Sequence, residues 1–205
     1  MSAQREFARR IRVGVIGVGG HSYRNVLPAL HHLPVRLVAL CDRDESLLAR
    51  TAPEYGVTAT FTDAAKMYAE TDVEAVLVVV GERHHPDLAI EAMRHGRHVW
   101  MEKPPAVYLR DVRRMLDARG GLTCAVGFKK AFMPATRKAV ELVGDPEFGP
   151  VRSVVAIYPM TIPEEGMAAL ESPKRWLAWL ANGCHPLSVM LEVAGPVESV
   201  TTLPG

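Results

Sequence analysis

The run Ala75-Val76-Leu77-Val78-Val79-Val80 constrains this chain more than any other stretch of it. Six consecutive apolar residues leave no polar face for water, so the strand they form must be covered on both sides. Strands of that kind belong to parallel sheets flanked by helices, and the first two-thirds of the chain agrees. Residues 11–16 (IRVGVI) and 35–40 (VRLVAL) read as buried strands, and 58–61 as a short third. Asp63 is placed to cap a brief helix over 64–69. After residue 80 comes a helix with Pro86 in its first turn and Gly96 at its stop, striped with Leu88, Ala89, Ala92 and Met93. Residues 98–101 give the next strand, 109–118 the next helix and 122–126 a sixth strand. Strand and helix alternating over short connections predict a parallel sheet with helices on both faces.

Beyond Gly127 the pattern changes. A helix is expected over 134–143, a longer half-solvated strand over 151–158, a helical stretch over 176–193 and a last strand over 197–203. Two strands are too few for an independent sheet. The expected organisation is an α/β domain over 1–127 followed by an incomplete α+β domain over 128–205. The strand at 151–158 would then have an unpaired flank, which predicts association into a homo-oligomer.

Composition excludes several classes. With 24 Lys+Arg against 23 Asp+Glu, the formal net charge is +1, so no broad field is aimed at nucleic acid or an anionic membrane. No apolar run approaches the roughly 20 residues that a membrane-spanning helix needs. Cys41, Cys124 and Cys184 are odd in number and far apart, which argues against a disulfide framework or zinc site and for a reducing compartment. The charged segment 1–10 precedes a strand rather than an apolar signal core, so a cytoplasmic location is expected. His31, His32, His95 and His98 show no ligand spacing, and no metal is expected.

The first strand runs directly into Gly17-Val18-Gly19-Gly20-His21-Ser22, which opens a helical segment. In a dinucleotide-binding turn the first glycine makes the tight bend and the second lets the backbone approach a pyrophosphate at the helix N-terminus. Ser22 stands where a third glycine would be, and Pro28 should kink or shorten the helix. Asp42 follows Gly17 by 25 residues, at the end of the second strand, where a carboxylate can accept hydrogen bonds from an adenosine ribose. The carboxylate favours NAD. Arg43, beside it, leaves NADP open, because a guanidinium can offset the repulsion of a 2′-phosphate. The fold expected of residues 1–127 is therefore the Rossmann doubly wound sheet.

Further residues carry a resemblance. Gly17–Gly20, Cys41-Asp42-Arg43-Asp44, the stretch 85–104 (HPDLAIEAMRHGRHVWMEKP), Gly127-Phe128-Lys129-Lys130, Phe132-Met133-Pro134 and Gly183-Cys184-His185-Pro186-Leu187 resemble the Gfo/Idh/MocA oxidoreductases, over essentially the whole chain. The resemblance implies hydride transfer between NAD(P) and a hydroxyl-bearing carbon of a sugar, cyclitol or related small molecule. It implies that Lys103, from Glu102-Lys103-Pro104, lies beside the nicotinamide as electrophile or proton donor, and that His185 is the candidate base. The cofactor-binding set is then Gly17, Gly19, Gly20, His21, Asp42, Arg43, Glu102 and Lys103. The substrate-binding set is Lys129, Asn182 and His185. His85 matches a family histidine and is read as shaping the start of its helix.

The chain also departs from the family. An aspartate usual four residues before the histidine is Ala181 here, and one often found three residues after it is Ser188. Asn182 can hydrogen-bond a hydroxyl but cannot carry a proton away. Lys129 and Lys130 can compensate by binding an acidic substrate. A non-catalytic dinucleotide-binding or regulatory protein is the alternative function, and the resemblance implies a truncated or shortened member.

Overall fold

The computed structural model describes residues 7–159 and 173–201. The chain divides into two compact units, Met1–Gly127 and Phe128–Gly205.

The first unit is built on six parallel strands, β1 (Ile11–Ile16), β2 (Val35–Cys41), β3 (Ala59–Phe61), β4 (Ala75–Val78), β5 (His98–Met101) and β6 (Cys124–Val126). Their order is β3-β2-β1-β4-β5-β6. Adjacent strands share their last rungs: Ile16 pairs with Cys41 and Val78, Val78 with Met101, and Met101 with Val126. Residues 17, 42, 79, 102 and 127 are therefore delivered to one edge of the sheet. At β1 the order reverses, and in open α/β sheets that is where a crevice for ligands forms.

Side-chain alternation along each strand feeds two separate cores. Ile16, Ala39, Cys41, Val76 and Val78 point to one face, where they pack with Met67, Tyr68, Ala89 and Met93. Val15, Leu40 and Val79 point to the other, with Leu27, Leu30, Leu48 and Ala52. Val15, Ala39, Leu40, Val76 and Val78 have no exposed surface. Each fully buried valine or leucine contributes roughly 1.5–3 kcal/mol relative to exposure.

Helix boundaries follow local chemistry. Helix α2 (Glu45–Glu54) is capped by Asp44, whose carboxylate accepts from the backbone N–H groups of Ser46 and Leu47. Asp63 does the same for Lys66 at α3 (Ala64–Glu70). Helix α4 (His85–Arg94) has Pro86 in its first turn, and α5 (Leu109–Arg119) precedes β6. The segment after the glycine turn is less regular. Ser22–Val26 winds as a π-helical turn, and only Leu27–Leu30 (α1) is α-helical. Pro28 lacks the N–H that would continue the ladder through this point, which accounts for the break. Strand β6 starts at Cys124 rather than 122, because Leu122 donates to the Arg119 carbonyl and belongs to the turn.

In the second unit the helices are α6 (Pro134–Val143) and α7 (Pro173–Ala194). The strand expected over 151–158 is not formed: residues 151–159 have no ladder partner among the described residues. Val155 and Ile157 are 83% and 84% exposed, so these apolar side chains are not packed on the described residues. Residues 197–201 form no strand either, and 202–205 lie outside the described residues. Among the described residues, no helix is long and apolar enough to cross a membrane.

Candidate active site

Gly17 starts the loop at the carboxyl end of β1 with φ +92°, and its N–H donates to the Cys41 carbonyl at 2.8 Å. A Cβ at Gly17 would run into the Val79 carbonyl oxygen, so the turn admits only glycine. Gly19 differs: a Cβ there meets nothing within 4 Å. That open side is what a phosphate approaching the backbone requires, and the loop fits a dinucleotide on this count.

Asp42 closes the loop from β2. Its Oδ2 accepts from the Val18 N–H at 2.8 Å and its Oδ1 from the Asp44 N–H at 3.0 Å. A carboxylate has about four lone-pair directions, so both oxygens keep capacity for ribose hydroxyls. A cavity of about 490 Å³ opens beside it, with Gly17, Asp42, Arg43, Asp63, Asp87 and Glu91 in its lining. Four of those six are carboxylates and one is a guanidinium. The surroundings are poor for a 2′-phosphate and good for an unphosphorylated ribose.

Glu102 and Lys103 leave β5 at the same edge. Glu102 donates its N–H to the Val78 carbonyl at 3.0 Å. Its side chain reaches two ways: Oε1 lies 3.3 Å from His21 Nε2, and Oε2 accepts from the Lys103 N–H at 3.2 Å. His21 Nδ1 lies 3.2 Å from the Asn25 amide. His21 and Glu102, both expected to touch the cofactor, are thus joined to each other, tying the glycine loop to the loop that carries Lys103. Lys103 is half-buried, and the Lys103–Pro104 peptide is cis.

His85 is the first residue of α4, and His84 before it makes no side-chain cap. The His85 ring turns inward, 1% exposed, between the carbonyls of Pro104 and Val80 at 2.9 and 3.0 Å. Burial holds its pKa below the ordinary 6.5, against the opposing pull of those carbonyls and of Glu82 and Glu102.

In the second unit His185 is buried on α7. The Tyr158 ring lies 5.8 Å from it at 34°, and Lys130 Nζ sits 4.2 Å from the Tyr158 ring centroid. It is therefore Lys130, through Tyr158, that associates with His185, while Lys129 stays exposed on the surface. Asn182 is half-buried one turn before His185. Ser188, at the position of a family aspartate, donates its hydroxyl to the His185 carbonyl at 2.8 Å, a bond within its own helix. Tyr158 had no motif to announce it; only the long-range ring contact does. Among the described residues, no group of three or more His, Cys, Asp and Glu side chains could hold a metal ion.

The sequence model of the Gfo/Idh/MocA oxidoreductase family, with its NAD-binding Rossmann fold, matches residues 11–128, more than half of the chain. The chain belongs to this family. Among Gfo/Idh/MocA relatives, D-xylose 1-dehydrogenase (NADP(+)) 2 of Haloferax volcanii is 28% identical over 153 residues, covering 74% of this chain and 47% of the relative. The 1-carboxy-3-chloro-3,4-dihydroxycyclo hexa-1,5-diene dehydrogenase of Comamonas testosteroni is 32% identical over 147 residues, covering 70% and 37%. The chain thus spans less than half the length of either. The WlbA dehydrogenase from Bordetella pertussis, solved with NADH and UDP-GlcNAcA, superposes with a TM-score of 0.74 at 27% identity, over 95% of this chain and 58% of that one. The six parallel strands between Ile11 and Val126 thus form the NAD(P)-binding Rossmann sheet of this family, as the glycine turn and Asp42 predicted.

Proposed function

We propose that this chain moves a hydride between NAD(P) and a hydroxyl-bearing carbon of a sugar, cyclitol or related polyhydroxylated molecule. The observation that carries the reading is the convergence of the glycine turn, Asp42 and Lys103 on one edge of the sheet, on either side of the order reversal. The nicotinamide ring, when bound, supplies or accepts the hydride. Gly17, Gly19, Gly20 and His21 form the loop for the pyrophosphate, and Asp42 accepts from the ribose, with Arg43 along the same rim. The carboxylates lining the cavity favour NAD over NADP.

Lys103 holds or moves a proton at the substrate oxygen as the carbon changes oxidation state. In the second unit His185 is the candidate base, with Asn182, Lys129 and Lys130 as candidate substrate contacts. That both relatives are dehydrogenases supports the reaction class.

A second reading, cofactor binding without turnover, is favoured by Ala181 and by the closed bond of Ser188 to its own helix. NADH fluorescence titration followed by a panel of polyol, cyclitol and sugar-acid oxidations separates the two. Turnover supports the oxidoreductase, saturable binding with no turnover supports the alternative, and no affinity for either coenzyme refutes both.

A further inference from the structure

Lys103 leaves β5 in a loop, and what fixes the direction of that loop is not visible in its own hydrogen bonds alone. Glu102 restrains it on one side, through His21 and the Lys103 N–H. On the other side stands His85, from the first turn of α4, with Nδ1 2.9 Å from the Pro104 carbonyl and Nε2 3.0 Å from the Val80 carbonyl. The ring is 1% exposed, so water cannot replace either partner. The two carbonyls differ in what they tether. Val80 is five residues before His85, in the loop that enters α4, whereas Pro104 is nineteen residues away and adjacent to Lys103.

Carbonyl oxygens only accept, so each contact is a hydrogen bond only if that ring nitrogen carries a hydrogen. A neutral imidazole can serve one of the two, and the imidazolium serves both. The carboxylates that act on the ring, Glu82 from the loop after β4 and Glu102 from the loop after β5, favour the cation, and burial opposes it more strongly. Near neutral pH one bond must therefore be chosen.

We propose, resting on the reading of Lys103 as the proton-handling residue, that His85 is a positioning residue whose Nδ1–H donates to the Pro104 carbonyl and so fixes where Lys103 stands. The imidazole acts as a strut between the start of α4 and the loop after β5. It touches no reacting atom.

The test combines spectroscopy with three variants of the whole chain. In ¹⁵N-histidine spectra the His85 Nδ1 should be of the protonated type across neutral pH; an unprotonated Nδ1 overturns the proposal without any activity measurement. Asparagine places an amide nitrogen close to where Nδ1 stands, and glutamine places one near Nε2. H85N should therefore keep kcat within about threefold and leave the Lys103 backbone amide resonance in place. H85Q should shift that resonance and lower kcat about tenfold or more, with Kd for NADH changed less than about twofold, since misplacing a reacting group by an ångström can cost on the order of a hundredfold. Equal losses in H85N and H85Q mean that the ring only fills space, and they refute the strut. K103A is the reference: if its kcat is unchanged, the reading of Lys103 fails, while the ¹⁵N spectrum and the amide shift still decide whether His85 holds the loop.

Discussion

Replacing Gly17 and Gly19 separately by alanine should divide the glycine turn into a part that folding requires and a part that the cofactor requires. At Gly17 the added methyl meets two penalties. An L-residue held at φ +92° costs about 1–3 kcal/mol. The Cβ also collides with the Val79 carbonyl, a backbone atom of the neighbouring strand end that cannot swing aside, and overpacking of this kind costs about 1–3 kcal/mol. The sum, about 2–6 kcal/mol, lowers Tm on the order of 10 °C for a unit of this size. Gly19 has no positive φ, and its Cβ would meet nothing within 4 Å, so G19A should melt within about 2 °C of the parent. Its effect should appear only when ligand is added: the methyl stands where the pyrophosphate must approach, and Kd for NADH should rise at least about tenfold, or 1.4 kcal/mol. Scanning calorimetry and NADH fluorescence titration of both variants read the two quantities independently. The reasoning is refuted if G17A melts with the parent, or if G19A binds NADH as tightly as the parent does.

Other outcomes follow from the same geometry. Asp42→Ala removes the acceptor of the Val18 and Asp44 N–H groups and should cost about 2 kcal/mol in urea denaturation, while narrowing the ratio of NADPH to NADH Kd. An unchanged ratio would count against Asp42 as the discriminating carboxylate. Cys41, whose thiol burial pushes up to about 12, should resist iodoacetamide at mildly alkaline pH in the native chain and react once the chain is unfolded; mass spectrometry of the labelled peptide decides. Stability should fall on acidification in two ranges. His85 has a folded pKa below 6.5, so the unfolded chain binds that proton first and stability declines as pH drops below 6.5, a decline H85N should flatten. Glu74 is held below 4.5 by the Arg12 N–H and by Arg9, so its contribution is present above that value and is lost as pH falls through the folded pKa. A Tm that stays flat as pH falls below 6.5 would contradict the His85 assignment, and one that stays flat as pH falls on below 4.5 would contradict that of Glu74.

Most of the first unit was legible because its determinants are local. The run at 75–80 predicted a buried strand, and its first four residues form β4 at the centre of the sheet. Asp42 was found by counting from Gly17, since both lie at ends of adjacent strands whose lengths are set by their apolar runs. Pro28 announced the broken helix. What escaped depended on partners far along the chain. The alternation over 151–158 reports which side of an extended segment is apolar, but a ladder needs a second strand, and none pairs with it among the described residues. His85 is read from the sequence as shaping the start of its helix, and α4 does begin there, but its bond to the Pro104 carbonyl, nineteen residues away, has no local signal. The contact of Lys130 with the ring of Tyr158 had no sequence signal either, because the two residues lie far apart along the chain.

Because the carboxylate at the tip of β2 already anchors the Val18 amide, changing it to suit a different coenzyme disturbs the bend that every coenzyme needs. An engineer wishing to admit the 2′-phosphorylated form would do better to leave that side chain alone. Neutralising Glu91 in the neighbouring cavity would shift the electrostatic balance toward Arg43 while the anchor stays in place.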